Sequence, residues 1–292
     1  MQLSHSKIET YVKCPYLFKL RYIDNLTTLP TDDPANPLIL GKCLHTGIEK
    51  DNQTAIDEYY DSFPAITDKH IDEAIKLEYW IPKVKKLLPE GINEVKIEDK
   101  DFIGFIDYLV PITSEKRSIT TELKDNHEDG YDEVIVDRGN TEVIGELIEP
   151  AVYDLYDFKY SNNIDSYLKS DQLHLYKYYY EKMNKQAKIR NLYFVFIPKS
   201  QLRIKYKNKT NPRDETIYEF RQRIIEDLKS KEIQIVKIDY RPEKVIEFLT
   251  NAKHCIEDIT YQKNESRLCE FCEFKKYCQD GIEYEIVKGE NI

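Results

Sequence analysis

The stretch FIGFIDYLV, residues 102–110, constrains the fold more than any other. It is apolar on both faces that a strand presents, so it must lie inside a sheet covered on two sides. A single carboxylate, Asp107, interrupts it. Just before it, Val95 and Ile97 alternate with charged residues, the pattern of a strand with one face in water. VYDLYDF (152–158), NLYFVFI (191–197) and IQIVKI (233–238) read as further strands.

Helical patterns surround these strands. Ser4 can cap a helix that runs through Cys14, and Pro15 can open a second over 16–23. Residues 24–37 carry Pro30, Pro34 and Pro37 and read as a loop. A helix from Leu38 takes in Leu44 and Ile48 and reaches toward Ile56. Residues 69–88 are helical with a break or kink at Pro82, and 166–184, 216–230 and 242–260 are helical too. This order predicts an α/β fold with a mixed central sheet flanked by helices. One domain is expected over 1–292, with an acidic insertion at 111–150 and a cysteine-rich region at 266–281.

Hydrophobic residues at 41% and charged residues at 33% suit a globular chain. No apolar run reaches 18 residues, and MQLSHSKIETYVKCP lacks the apolar core of a signal peptide, so no membrane span and a reducing cytoplasm are expected. Six cysteines there read as metal ligands or core residues rather than disulfides. A net charge of −10 argues against a nonspecific nucleic-acid coat. Residues 185–213, however, hold nine Lys or Arg and no Asp or Glu. That stretch is either a solvated face or, with Tyr193 and Tyr206, a track for a nucleic-acid backbone to which Lys13, Lys19 and Arg21 add contacts.

Three segments carry candidate chemistry. GKCLHTGIE puts His45 and Glu49 on one helical face. GFID holds Asp107. YDFKY puts Asp157 and Lys159 on one side of a strand, since residues two apart point the same way. Phosphodiester hydrolysis needs an activated water and relief of charge on the phosphate, and a hard divalent cation held by carboxylates supplies both. Asp107 and Asp157 are the expected ligands, with His45 and the Phe158 carbonyl as additions. Lys159 would orient or deprotonate the water, or hold phosphate oxygens. Gln172 and Tyr176 stand at helical spacing and would line the site. Each residue alone has an ordinary reading: solvated edge charges, a packing histidine, an amphipathic helix.

CEFCEFKKYC arrays Cys269, Cys272 and Cys278 as C-x2-C-x5-C, a strong metal-ligand signal. The fourth ligand is either Cys14 or the nearer Cys255. Cys255 falls in a helix whose apolar positions include Leu249, Ala252, Ile256 and Ile259, which suits a partly buried free thiol. Spacing alone leaves zinc and an iron–sulfur cluster open.

The opening LSHSKIETYVKCPYLFKLRYI, then His45, Asp107 in GFID, Asp157-Phe158-Lys159 and QLHLY, resembles the RecB-like branch of the PD-(D/E)XK nucleases over about residues 3–281, with 111–150 outside the likeness. The resemblance implies a DNA nuclease using Mg²⁺ or Mn²⁺, held by His45, Asp107 and Asp157, with Lys159 assisting. It implies end or flap processing in repair, recombination, or phage- or CRISPR-linked DNA metabolism, on DNA with a single-stranded part or free end. The third motif is D-x-K rather than E-x-K, and Glu49 would stand behind the ligands. One cysteine early and three late is similar to the iron–sulfur members, which include AddB-type helicase–nucleases and CRISPR-associated RecB-like nucleases. There four thiolates, here Cys14, Cys269, Cys272 and Cys278, hold a [4Fe–4S] cluster that pins the chain ends. The chain has no Walker motif, so a helicase or recombination partner would be a separate protein. Two other readings stand beside this one: a catalytically silent nuclease-fold DNA-binding or scaffold subunit, and a Cys₄ zinc interaction domain.

Overall fold

The computed structural model describes residues 2–29, 32–112, 151–210, 213–281 and 286–288. In chain order these form α1 (His5–Lys13), α2 (Pro15–Phe18) followed by a π-turn (Lys19–Ile23), β1 (Leu26–Thr28), α3 (Pro37–Glu49), α4 (Asn52–Asp61) and α5 (Asp68–Leu87). Next come β2 (Ile92–Glu98), β3 (Ile103–Ile112), β4 (Ala151–Tyr160), α6 (Ile164–Tyr167), α7 (Gln172–Met183) and β5 (Ala187–Ile197). The remainder is α8 (Ile217–Lys229), β6 (Gln234–Ile238), α9 (Pro242–Glu257), a 3-10 turn (Arg267–Phe271), α10 (Lys275–Asp280) and β7 (Ile286–Lys288).

The sheet has the order β2-β3-β4-β5-β6. It is mixed, as expected: β4 and β5 run parallel and the other neighbours antiparallel. α3, α4, α5 and α8 cover one face, around Leu44, Tyr59, Trp80 and Ile224. α1, α7 and α9 cover the other, around Ile8, Phe102, Leu175 and Phe248. Two covered faces explain why the strand at 102–110 is apolar throughout.

Several boundaries differ from the expected ones, each for a local reason. Asn36 caps α3 through its side chain and Pro37 occupies the first turn. The helix stops at Glu49, because Asp51 accepts from the Thr54 amide and starts α4, so Ile56 belongs to a separate helix. α5 runs on past Pro82, since Trp80, Ile81 and Val84 are buried on either side of it. The single helix expected over 166–184 is two, parted at residues 168–171. A short strand, β1, lies in the expected loop 24–37 and pairs with β7. Residues 111 and 112 close β3 rather than opening an insertion, and the rest of the acidic segment, 113–150, lies outside the described residues.

α9 corrects a second expectation. Its buried side is Val245, Phe248, Ala252 and Cys255, whereas Leu249 and Ile256 face outward and Ile259 lies exposed beyond its end. Both stripes have helical spacing, and only the docking of α1 and α7 chooses between them.

The N-terminal segment is locked in place through the backbone. The Leu3 amide donates to the Asp101 carbonyl at 3.0 Å, and the Ile103 amide donates to the Leu3 carbonyl at 2.8 Å. Ser4 then caps α1 by accepting from the Lys7 amide. Farther along, the Tyr11 hydroxyl donates to Asp258, the Tyr16 amide to the Gln262 carbonyl and the Asn264 amide group to the Lys13 carbonyl. Arg21 pairs with Glu273. The early and late parts of the chain are thus joined by ordinary polar contacts.

Candidate active site

The antiparallel register that sets Tyr108 against Tyr156 sets Asp107 against Asp157 one step on. The Phe158 amide donates to Asp107 Oδ2 at 2.7 Å, which fixes that carboxylate across the strand gap. His45, on α3, brings Nδ1 to 3.5 Å from Asp107 Oδ1 and sets its ring edge-on to Phe158. Lys159 Nζ stands 2.6 Å from Asp157 Oδ2. The four residues expected at the site are therefore neighbours.

Two close carboxylates dominate the electrostatics of this cluster. Asp157 is wholly buried, and its Oδ1 meets no donor among the described residues; Oδ2 meets only the Lys159 ammonium. Burial, then the adjacent Asp157 carboxylate, pushes Asp107 up to about 7 against the pull of His45 and Lys159. Burial lowers the Lys159 value, but the Asp157 and Asp107 carboxylates outweigh it and hold the group above its ordinary range. A buried carboxylate with one oxygen unmet is expensive even beside an ammonium, and a divalent cation is chemistry that offsets it. The donors thus suit a hard cation. As placed, no group of three or more His, Cys, Asp or Glu among the described residues is already gathered as a metal cage.

α7 supplies the next wall. Gln172 Nε2 donates to the Tyr176 hydroxyl at 2.9 Å. Burial raises the Tyr176 value, and so do Asp157 and Asp107, as expected for a phenol beside both carboxylates. Gly104 explains how the ring comes so close: a Cβ there would stand 3.0 Å from Tyr176 Cε1 and from Phe102 Cε1. Asp107, His45, Gln172 and Tyr176 line one cavity of about 500 Å³.

Sequence reasoning missed four polar residues of that cavity: Ser4, His5, Ser6 and Glu94. Ser4 showed itself only as a cap. His5 reaches the cavity because Leu3 pairs with Phe102, a pairing no local pattern announces. His5 Nε2 is 2.8 Å from Asp171. Glu94 lies between Asn93 and Val95, whose partners flank Asp107, and it holds a left-handed φ of 48°. A non-glycine residue in that region is uncommon and carries strain. Glu49 lines the neighbouring groove behind His45 instead of this cavity.

The cysteines divide as follows. Cys14, Cys269, Cys272 and Cys278 line a second cavity, of about 660 Å³. All are free thiols, and burial followed by Glu273, Cys14 and Cys269 raises Cys272, while the Phe274 amide lowers it. Cys255 and Cys43 are buried elsewhere, with thiols pushed up by burial to about 11 and about 12. Both are inert core residues. Of the basic stretch, Lys188 and Arg190 stand on β5, and residues 199–209 run without regular structure beside α8, tied by Glu215 to the Lys205 amide and to Arg223.

A family profile described as PD-(D/E)XK nuclease superfamily matches residues 2–279. No curated protein matches the chain. Among the described residues no helix is long and apolar enough to cross a membrane.

Proposed function

The chain belongs to the PD-(D/E)XK nuclease superfamily, and on that footing we propose that it is a deoxyribonuclease of the RecB-like kind, acting on DNA ends or flaps. The observation that carries this is the fully buried Asp157, with one oxygen unmet, set against Asp107 and beside Lys159. When bound, Mg²⁺ or Mn²⁺, the usual ions of the superfamily, lowers the pKa of a water and draws charge from the phosphate. Asp107, Asp157 and His45, with the Phe158 carbonyl, are the groups that would hold it. Lys159, kept as an ammonium by the carboxylates, grips a phosphate oxygen and aligns the water. Tyr176, held by Gln172, closes the side of the cavity. End-labelled single- and double-stranded DNA, with and without Mn²⁺, tests the reading. No cutting of either under any divalent metal would return the chain to the silent, DNA-binding alternative.

The cysteine cavity supports the finer reading. Four thiols and no imidazole face it, which suits a [4Fe–4S] cluster on Cys14, Cys269, Cys272 and Cys278. The purified protein is expected to be brown, with iron and acid-labile sulfide. Cys14→Ser should bleach it as fully as Cys272→Ser, while Cys255→Ser stays coloured. Zinc in place of iron, or bleaching by Cys255→Ser alone, would overturn the assignment. Because Tyr11, Tyr16, Lys13 and Arg21 already bind the late part of the chain, cluster loss should loosen the N-terminal helices without releasing them.

The outward lysines and arginine of 203–209 extend the DNA surface in this reading. Changing Arg203, Lys205, Lys207 and Lys209 to Gln together should reduce the salt dependence of DNA binding by about 0.7–0.9 of slope for each phosphate no longer neutralised. An unchanged slope would make that stretch a solvated face.

A further inference from the structure

The cavity around Asp107 opens two ways. Through His5 and Gln172 it joins a trough of about 620 Å³ between α1, residues 166–172 and α9. Through His45 and Glu94 it joins the groove of about 830 Å³ between α3 and α4.

The two arms differ in charge. The groove behind His45 sets Glu49, Asp57, Glu58, Asp61 and Glu94 against only Lys42 and Lys50. In the trough three carboxylates, Glu9, Asp171 and Glu247, stand with three lysines, Lys13, Lys169 and Lys244. Glu9 meets Lys13 at 2.8 Å, Asp171 meets His5 at 2.8 Å and Glu247 meets Lys244 at 3.1 Å. Lys169 is exposed and joins no ion pair among the described residues. The balanced trough therefore opposes a polyanion far less than the acidic groove does, and leaves the Lys169 ammonium open to one. The trough also abuts the reacting lysine. Tyr167 forms part of its wall, and Lys159 Nζ lies 5.4 Å from the centre of that ring.

We propose that this trough is the binding track for the DNA strand on one side of the cut, with phosphates at Lys169 and Lys244, and that the groove behind His45 holds none. The proposal rests on the nuclease reading and deepens it: next to the scissile bond the strand is gripped along the trough and not along the groove behind His45. His5, fixed by Asp171 at the crest between cavity and trough, sets where the strand turns inward.

The test uses a fluorescent single-stranded oligonucleotide and the full chain carrying Asp107→Asn, so that binding is read without cutting, across a series of salt concentrations. Lys169→Gln with Lys244→Gln is expected to weaken binding about tenfold or more and to flatten the plot of log Kd against log salt by about 0.7 for each phosphate released from its lysine. Lys42→Gln with Lys50→Gln is expected to leave both unchanged. In the otherwise native chain the trough pair should raise KM and keep kcat, since it touches the strand away from the reacting phosphate. Thermal melts confirm that the variants, all at half-buried or exposed lysines, remain folded. An unchanged salt slope in the trough pair, or an equal weakening in the Lys42 and Lys50 pair, would overturn the proposal. Failure of the nuclease reading shows separately, as native protein that cuts nothing with Mg²⁺ or Mn²⁺ whatever the slopes.

Discussion

Asp157→Ala is expected to bring DNA cleavage to the assay background, and Asp107→Ala to do the same, with the fold intact in both. Each removes one of the two facing carboxylates that suit the cation. Lys159→Ala should keep metal binding and slow the rate by roughly 10²-fold or more, the scale set by removing a charge-stabilising or proton-handling group. A second measurement separates site loss from unfolding. Without divalent metal, Asp157→Ala should keep the native far-ultraviolet circular dichroism spectrum but melt lower than the native chain, because it leaves the buried Lys159 ammonium without its 2.6 Å partner. Added Mn²⁺ should raise the melting temperature of the native chain and leave that of the variant where it was. Native cutting by Asp157→Ala would refute the site.

Phe102→Ala should destabilise the chain by about 3–5 kcal/mol, the range for a large aromatic removed from a packed core. Phe102 is wholly buried. Its ring stacks on Tyr179 with centroids 4.0 Å apart and meets Phe248 edge-on at 5.8 Å. It thus joins the start of β3 to α7 and α9 at one point. Urea unfolding gives the value, and a change below about 1 kcal/mol would mean the packing is wrong. Cleavage at low denaturant should fall as well, because Phe102 also underlies Gly104 and the Tyr176 ring.

The sheet and the grouping of His45, Asp107, Asp157 and Lys159 were legible in the sequence because their signals are local. A run with two apolar faces, a two-residue Asp-x-Lys step and a helical histidine each show within ten residues. Their convergence follows from strand pairing between neighbours, β3 with β4. What stayed hidden depends on distant partners. The place of His5 is fixed by Leu3 meeting Phe102, and the inward stripe of α9 by α1 and α7. α9 carries two apolar stripes, and no hydrophobic pattern says which one a helix more than two hundred residues away will cover. Short-range caps also escaped notice: Asp51, which divides α3 from α4, looks in sequence like any polar residue on a helix.

The backbone clasp between the first residues and the late part of the chain bears on how the protein is made. During synthesis the strands with Asp107, Asp157 and Lys159 leave the ribosome well before α9 and Gln262 do. Until those arrive, the Tyr11 hydroxyl and the Tyr16 amide lack their Asp258 and Gln262 partners, and bringing together segments so far apart carries a loop-closure cost that grows only slowly with length. The His5 wall, held by Leu3 and Asp171, can form earlier, and the α9 side of the trough beyond it is the last to settle. A ribosome stalled before α9 would therefore display the Asp107 and Asp157 carboxylates beside a trough that still lacks the Lys244 side of its wall.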